Sequence, residues 1–445
     1  MNKKISIIKI VSITVISFLG VFLALYCVKV DFSNIQTEIN LTWPYIFVIV
    51  FFITIFTSYI LYILMSRKNK KFYTSKDKMI IYILSNIVII TLLTLTITTL
   101  TNNYLSNINK TGNEKDQVTL NKKNKVEPGE IDLSTQKTDV TITTSGTYTF
   151  SGNFNNSIII DAASVDDVII VLNNVTIETE NTATIIGLSA KSITIELKEG
   201  SENTLSDGGN SEYDGCIFSN AELILQGTGK LTVNGNQNEG EGIATEAKNI
   251  TINDGTYVIT SNDDGINAGG DGATITINGG TFYINASGDG IDSNKDAIIN
   301  GGTIFVIGSD IGGDSGIDTD DGYVINGGTV IALGTDMIET PTSQSKQKTI
   351  AFTLNDKIEK DTIVTLMKGE ETVVSFKAPK SFKTIIISTD TLTEDSYSLY
   401  ENGTNTAPEE CGIYKDGTYT RGDKLTINNE DTFKISQTVN LFGNR

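Results

Sequence analysis

The chain has 445 residues, a net charge of −19 at pH 7, 3 Cys and no His. Without His it lacks the usual neutral-pH acid/base, the common catalytic triads and the commonest zinc ligand, and so few Cys cannot build a disulfide framework. Between Glu127 and Glu339 there are 33 Asp and Glu against 6 Lys and no Arg, a balance that repels nucleic acid and attracts cations or cation-bridged ligands.

Three uncharged runs open the chain, at residues 10–28, 43–65 and 79–100. Each is close to the roughly 20 residues that a membrane-spanning helix needs. Trp43 and Tyr45 stand where aromatic rings favour the interface. Lys3, Lys4 and Lys9 precede the first run, and Arg67, Lys68, Lys70, Lys71, Lys76 and Lys78 fill the loop before the third. The positive-inside bias therefore predicts a multi-pass membrane anchor (residues 1–100) with its N-terminus in the cytoplasm and everything after the third span outside the cell. No small-residue cleavage site follows the first run, so it is read as a retained span. Residues 101–126, polar and without periodicity, read as a flexible extracellular stalk.

From residue 127 the texture changes to short segments rich in Ile, Val and Thr that alternate apolar with polar, the strand signal. Val168–Val171, Ile193–Leu197 and Leu223–Leu225 are the early examples. Then a phrase repeats: Asn253-Asp254-Gly255-Thr256, Asn278-Gly279-Gly280-Thr281, Asn300-Gly301-Gly302-Thr303 and Asn326-Gly327-Gly328-Thr329, spaced 25, 22 and 26 residues apart. Repeats of that length mean stacked units that share one core. Aligning them gives four apolar columns: Ile250, Ile275, Ala297 and Tyr323; Ile252, Ile277, Ile299 and Ile325; Tyr257, Phe282, Ile304 and Val330; Ile259, Ile284, Val306 and Ala332. Period-two alternation turns these to one side. No helix-length segment separates the strands, which leaves a parallel β-helix over residues 127–347 with coils about 4.8 Å apart. Stacked Asn amides at the Asn-Gly turns are expected to hydrogen-bond from coil to coil.

A second phrase interleaves with the first: Asp214-Gly215, Glu241-Gly242-Ile243, Asp264-Gly265-Ile266, Asp289-Gly290-Ile291 and Ser315-Gly316-Ile317. Superposing its later copies stacks Asp264 on Asp289 and Asn267 on Asp292 on Asp318, with Asp263 and Asp314 at the same edge. Asp310, Asp320 and Asp321 lie nearby in sequence. Like charges one coil apart repel by about 1 kcal/mol in water and by more where water is excluded. Hard oxygens at short range suit Ca²⁺, so all ten residues are candidate metal ligands; the plainer alternative is a solvated acidic edge. On the outward side of the last strand series Val258, Tyr283, Phe305 and Ile331 form an apolar stripe. Tyr283 and Phe305 are candidate carbohydrate-stacking residues unless the C-terminal segment covers them.

After residue 347 the glycine phrases stop. Thr349–Leu354, Thr362–Met367, Thr372–Phe376 and Lys383–Ser388 read as further strands, and residues 348–445 as a C-terminal β cap. The sequence leaves open whether Cys216 and Cys411 pair.

The string SNDDGINAGGDGATITINGGTFYINASGDGIDSNKDAIINGGTIFVIGSD (Ser261–Asp310), with FKAPKSFKTIIISTDTL and GTYTRGDKLTI further on, resembles a family of calcium-binding, carbohydrate-binding right-handed parallel β-helix proteins. The resemblance covers about residues 127–445; the membrane anchor lies outside it. It implies a polysaccharide-lyase-like fold with bound Ca²⁺ that binds cellulose or acidic glycans such as polygalacturonate, without cleavage. The expectation is thus a membrane-anchored, surface-displayed polysaccharide-binding protein that is not an enzyme and assigns no catalytic residue. A structural adhesin or cell-wall scaffold with structural calcium is the alternative. A calcium-dependent lyase or hydrolase is disfavoured: lyases of this fold use an Arg or Lys base, the solenoid holds no Arg, and Lys248 and Lys295 have no visible partner.

Overall fold

In the later coils each turn of the chain lays down three strands, and each pairs in parallel with its equivalent one turn later. The computed structural model describes residues 124–246, 248–414 and 417–443; the three predicted membrane spans and most of the predicted stalk lie outside them. Among the described residues no helix is long and apolar enough to cross a membrane, and the structure is an all-β solenoid. The described residues belong to one unit, Asn121–Arg445.

The first face is a 9-stranded sheet of short strands that ends in Ile243–Thr245, Ile266–Ala268, Ile291–Ser293 and Ile317–Thr319. The second face carries Ile250–Ile252, Ile275–Ile277, Ala297–Ile299 and Tyr323–Ile325. The third carries Thr256–Ser261, Thr281–Ala286, Thr303–Ile307 and Thr329–Gly334. Early in the coil the second and third faces are continuous. The long strand Asp167–Glu178 pairs with Ser192–Leu197 through its first half and with Glu202–Ser206 through its second. The first coil begins at Asn124–Lys125, paired with Val140–Thr141, inside the segment read from sequence as stalk.

The four sequence columns are register columns of the structure. Ile250 pairs with Ile275, Ile275 with Ala297, and Ala297 with Tyr323. Tyr257, Phe282, Ile304 and Val330 follow one another on the third face. All point inward and are buried, at about 1.5–3 kcal/mol for each large apolar side chain. Tyr257 and Phe282 stack inside the coil at 5.0 Å between ring centroids. Cys216 is a free, fully buried thiol of this core, which answers the pairing question: it is not joined to Cys411.

The far end of the coil closes differently from expectation. Much of the cap lies before residue 348. Glu339 accepts from the Thr319 N–H and hydroxyl at 2.7 Å each, and so covers the open edge of the first face. Thr342 N–H donates to Tyr323 O, and Ile325 N–H donates to Ser345 Oγ, on the second. On the third face Phe382–Ser388 adds antiparallel to Thr329–Gly334 and prolongs the sheet. Thr349–Ile358 and then Val439–Phe442 continue that sheet, while Ile363–Lys368, Glu371–Lys377 and Ser396–Glu401 belong to a separate sheet whose Phe376 packs on Phe305 at the outward side of the third face.

Candidate functional site

The acidic residues gather where the third face turns into the first. One glycine column makes that bend. Gly265 and Gly290 sit against the interior, where a Cβ would strike Ile284 or Val306 and the carbonyl oxygen of the next coil's glycine. The residue before each glycine is thereby held at the rim. Asp264 Oδ1 accepts the Asp289 N–H at 2.7 Å, and Asp289 Oδ1 accepts the Ser315 N–H, so each carboxylate caps the corner of the following coil. On the adjoining outward side of the first face, Asn267, Asp292 and Asp318 are register partners. Asn267 Nδ2 bridges Asp264 Oδ2 at 2.9 Å and Glu241 Oε1 at 3.0 Å.

Burial dominates the electrostatics. It is the largest cause holding Asp264 up at about 8, with Asp263, Asp292 and Asp289 adding to it against the Asp289 N–H. Asp289 is pushed to about 7 and Asp292 to about 6, again chiefly by burial and then by their acidic neighbours, Asp318 among them. Asp263 is raised by burial and then by Asp214, Asp314 and Glu239. Six of the nine acidic candidates read from sequence thus interact at one corner: Asp263, Asp264, Asp289, Asp292, Asp314 and Asp318; Asn267, the tenth candidate, is braced among them.

The other three candidates lie elsewhere. Asp310 is exposed on the loop after Ile307, where its backbone oxygen accepts from Lys357 Nζ at 3.0 Å. Asp320 and Asp321 are exposed at the next bend, beyond the first face, with backbone N–H groups bonded to Ser293 O and Lys295 O. Only the Asp320 charge still reaches Asp292. The apolar stripe is largely covered. Phe305 is 0% exposed, in a cluster with Ile331 of the following coil and with Ile350 and Phe376 from the C-terminal strands. Gly412 lies against its ring. Phe305 is therefore withdrawn as a sugar-stacking residue. Tyr283 stacks on it at 5.6 Å and stays half-buried.

One acidic residue of the cluster, Glu241, is absent from the candidates read from sequence. Glu241, only 6% exposed, is raised to about 10 by burial first and then by Asp214, Asp264 and Asp263. The signal was present: Glu241-Gly242-Ile243 is the same phrase as Asp264-Gly265-Ile266, with the longer acid. Its Oε2 and the Asn267 Oδ1 are buried without a hydrogen-bond partner. A cation also approaches this corner from the C-terminal segment. Lys380 Nζ donates to Ala286 O; burial pulls its pKa down to about 8, and Asp310 pushes it up.

The donors here are carboxylate and amide oxygens, the set that hard cations prefer, and two of the oxygens lack a partner. Among the described residues no three His, Cys, Asp or Glu side chains converge closely enough to hold a metal ion by themselves. The donor type is the one calcium takes, without a converged set of three acidic side chains among the described residues.

Residues 136–403 match a protein-family model described as "Carbohydrate-binding domain-containing protein". A curated protein of Acetivibrio thermocellus with the same description is 35% identical over 142 residues, covering 29% of this chain and 50% of the relative. The chain thus spans about half the length of that relative. A solved structure titled as the polysaccharide lyase-like protein from C. thermocellum, gadolinium derivative, is 28% identical and is matched over 44% of this chain and 94% of its own, with a TM-score of 0.36.

Proposed function

The chain belongs to the carbohydrate-binding domain-containing protein family, and from that premise we propose that its acidic corner binds a polysaccharide through calcium. One observation carries the reading: carboxylates in register on successive coils, Asp264 with Asp289 and Asp292 with Asp318, beside the unpartnered oxygens of Glu241 and Asn267. Asp263, Asp264, Asn267, Asp289, Asp292, Asp314 and Asp318 would hold the ion. Calcium takes six to eight oxygens, and glycan carboxylates and hydroxyls complete what this partial set leaves open. An ion so placed turns repulsion between an acidic protein and an acidic glycan into attraction. Polygalacturonate is the preferred ligand for that reason, with cellulose second.

The protein acts as a binder rather than an enzyme. Lys248 and Lys295 are exposed on the far side of the first face from the acidic corner. The three apolar runs and their basic flanks support display outside the cell on a membrane anchor. The solenoid is right-handed by the general rule for parallel crossovers.

The test is calorimetric titration of the full chain with polygalacturonate at defined Ca²⁺ and again with chelator. Binding that requires calcium, with no unsaturated product absorbing in the ultraviolet, supports the reading. If calcium raises the melting temperature while no glycan binds, the ions are structural and the scaffold alternative replaces it.

A further inference from the structure

The outward row of the first face continues past the acidic residues toward the N-terminal coils and changes character. Asn267 pairs with Ala244, Ala244 with Phe218, and Phe218 with Ile186. These apolar side chains form a small cluster separate from the interior core. One ring lies over them. Tyr213, half-buried, packs on Phe218 at 5.4 Å with the rings tilted 45°.

Tyr213 belongs to an insertion between Glu202–Ser206 and Ile217–Ser219 that is held firmly. Asp207, 4% exposed, accepts the Asn236 N–H at 2.7 Å and the amide of Gln237, itself 3% exposed. The Gln237 amide also donates to Gly215 O, and the Tyr213 N–H donates to Ser211 Oγ at 2.9 Å. The next residue, Asp214, raises Glu241 by its proximity and so joins the acidic corner. An aromatic surface therefore passes directly into a row of oxygen acceptors, one coil step of about 4.8 Å at a time.

We infer that the outward side of the first face is a single polysaccharide-binding strip, with Tyr213 as its sugar-stacking platform ahead of the Asn267–Asp292–Asp318 row. The inference rests on the polysaccharide-binding reading above and adds the site's apolar part. A pyranose ring has an apolar C–H face that suits an aromatic ring and rim hydroxyls that donate hydrogen bonds. Tyr213 matches the first, while the exposed Asp214 and the partly exposed Asp292 and Asp318 match the second. Glycan sites in general combine such an apolar floor with a few placed polar groups.

A plain structural role, Tyr213 as a lid on Phe218, makes a different prediction, and two variants separate them. Tyr213→Leu keeps an apolar cover but removes the flat ring; Tyr213→Phe keeps the ring. The full chain and both variants are titrated with polygalacturonate in Ca²⁺ and with cellohexaose, and each is melted. The strip predicts about tenfold weaker binding for Tyr213→Leu, the order of one aromatic stack, with an unchanged melting temperature and near-normal binding for Tyr213→Phe. Equal binding by Tyr213→Leu and wild type overturns the inference and leaves the polysaccharide reading intact. Binding and melting temperature falling together in Tyr213→Leu make the ring a lid and also overturn it. Failure of the wild type to bind either glycan removes the polysaccharide reading itself.

Discussion

Each regular coil turns two glycine corners, and the two solve the same stacking problem with opposite chemistry. At the turn between the second and third faces, the amides of Asn253, Asn278, Asn300 and Asn326 form an exposed ladder, Nδ2 to Oδ1, at 2.9 Å per step. At the turn between the third face and the first, carboxylates stack instead. An amide carries a donor and an acceptor, so a column of amides satisfies itself. A carboxylate only accepts. Asp264 and Asp289 borrow N–H groups from the next coil, and their remaining charge must be met by protons or by a cation. The neutral corner satisfies its own polar groups from coil to coil, and the acidic one does not.

The glycines sharpen the contrast. Gly280, Gly302 and Gly328 have φ of +101°, +96° and +89°, a region other residues enter only with strain. Gly290, by contrast, is small for want of space: a Cβ there would run into Val306 Cγ2 and the Gly316 carbonyl oxygen. Gly290→Ala should therefore have the largest effect, about 3 kcal/mol in denaturant unfolding, because coil, core and backbone are all rigid there. A loss below about 1 kcal/mol would mean that the acidic corner is loosely packed.

The second prediction concerns protons and ions. Burial raises Asp292, Asp289 and Asp264 to about 6, 7 and 8. Their folded-state pKa values lie above the unfolded carboxylate range of about 4, so the folded state holds protons that the unfolded chain releases. In chelator, the stability they contribute is complete below about pH 4 and is lost as pH rises through about 6 to 8. Ions compete with those protons. Calcium at about 100 times its Kd restores about 2.7 kcal/mol at pH 8 and little at pH 5. Melting temperatures at both pH values, with and without calcium, check the sign. A rise in stability from pH 5 to pH 8 in chelator contradicts it.

Asp289→Asn tests the same balance on one residue, with a smaller effect. The amide oxygen can still accept the Ser315 N–H, while one buried charge disappears. Stability in chelator at pH 8 should rise, and calcium affinity should fall about tenfold, near 1.4 kcal/mol. An unchanged calcium titration would place the ion away from this column.

How much of this was legible in sequence depended on what set the register. The inward columns and the stacking of Asn267, Asp292 and Asp318 could be read because a glycine phrase fixes one point per coil and strand alternation fixes the rest. Glu241 fell outside the ligand set because one acid replaced another. Tyr213 was invisible because it comes from an insertion, out of phase with the repeat. Phe305 looked exposed because alternation reports only which side of a strand a residue takes. Its cover comes from Phe376 and Gly412, distant in sequence. The end cap misled for the same reason: Glu339 closes the first face by reaching back to Thr319, a contact no repeat encodes.

The smallest effect belongs to the neutral corner. Asn300 both donates to Asn278 and accepts from Asn326 at 2.9 Å, in full view of solvent. Water can replace both bonds, so Asn300→Ala should cost about 1 kcal/mol. Because no charge is involved, that cost should be the same at pH 5 and pH 8, and the same with calcium or chelator. A pH- or calcium-dependent cost would mean that the two corners are coupled across the strand Thr303–Ile307, and their division into a structural and a binding edge would fail. A constant one leaves the solenoid with one edge that holds its coils together and another free to take up an ion and a ligand.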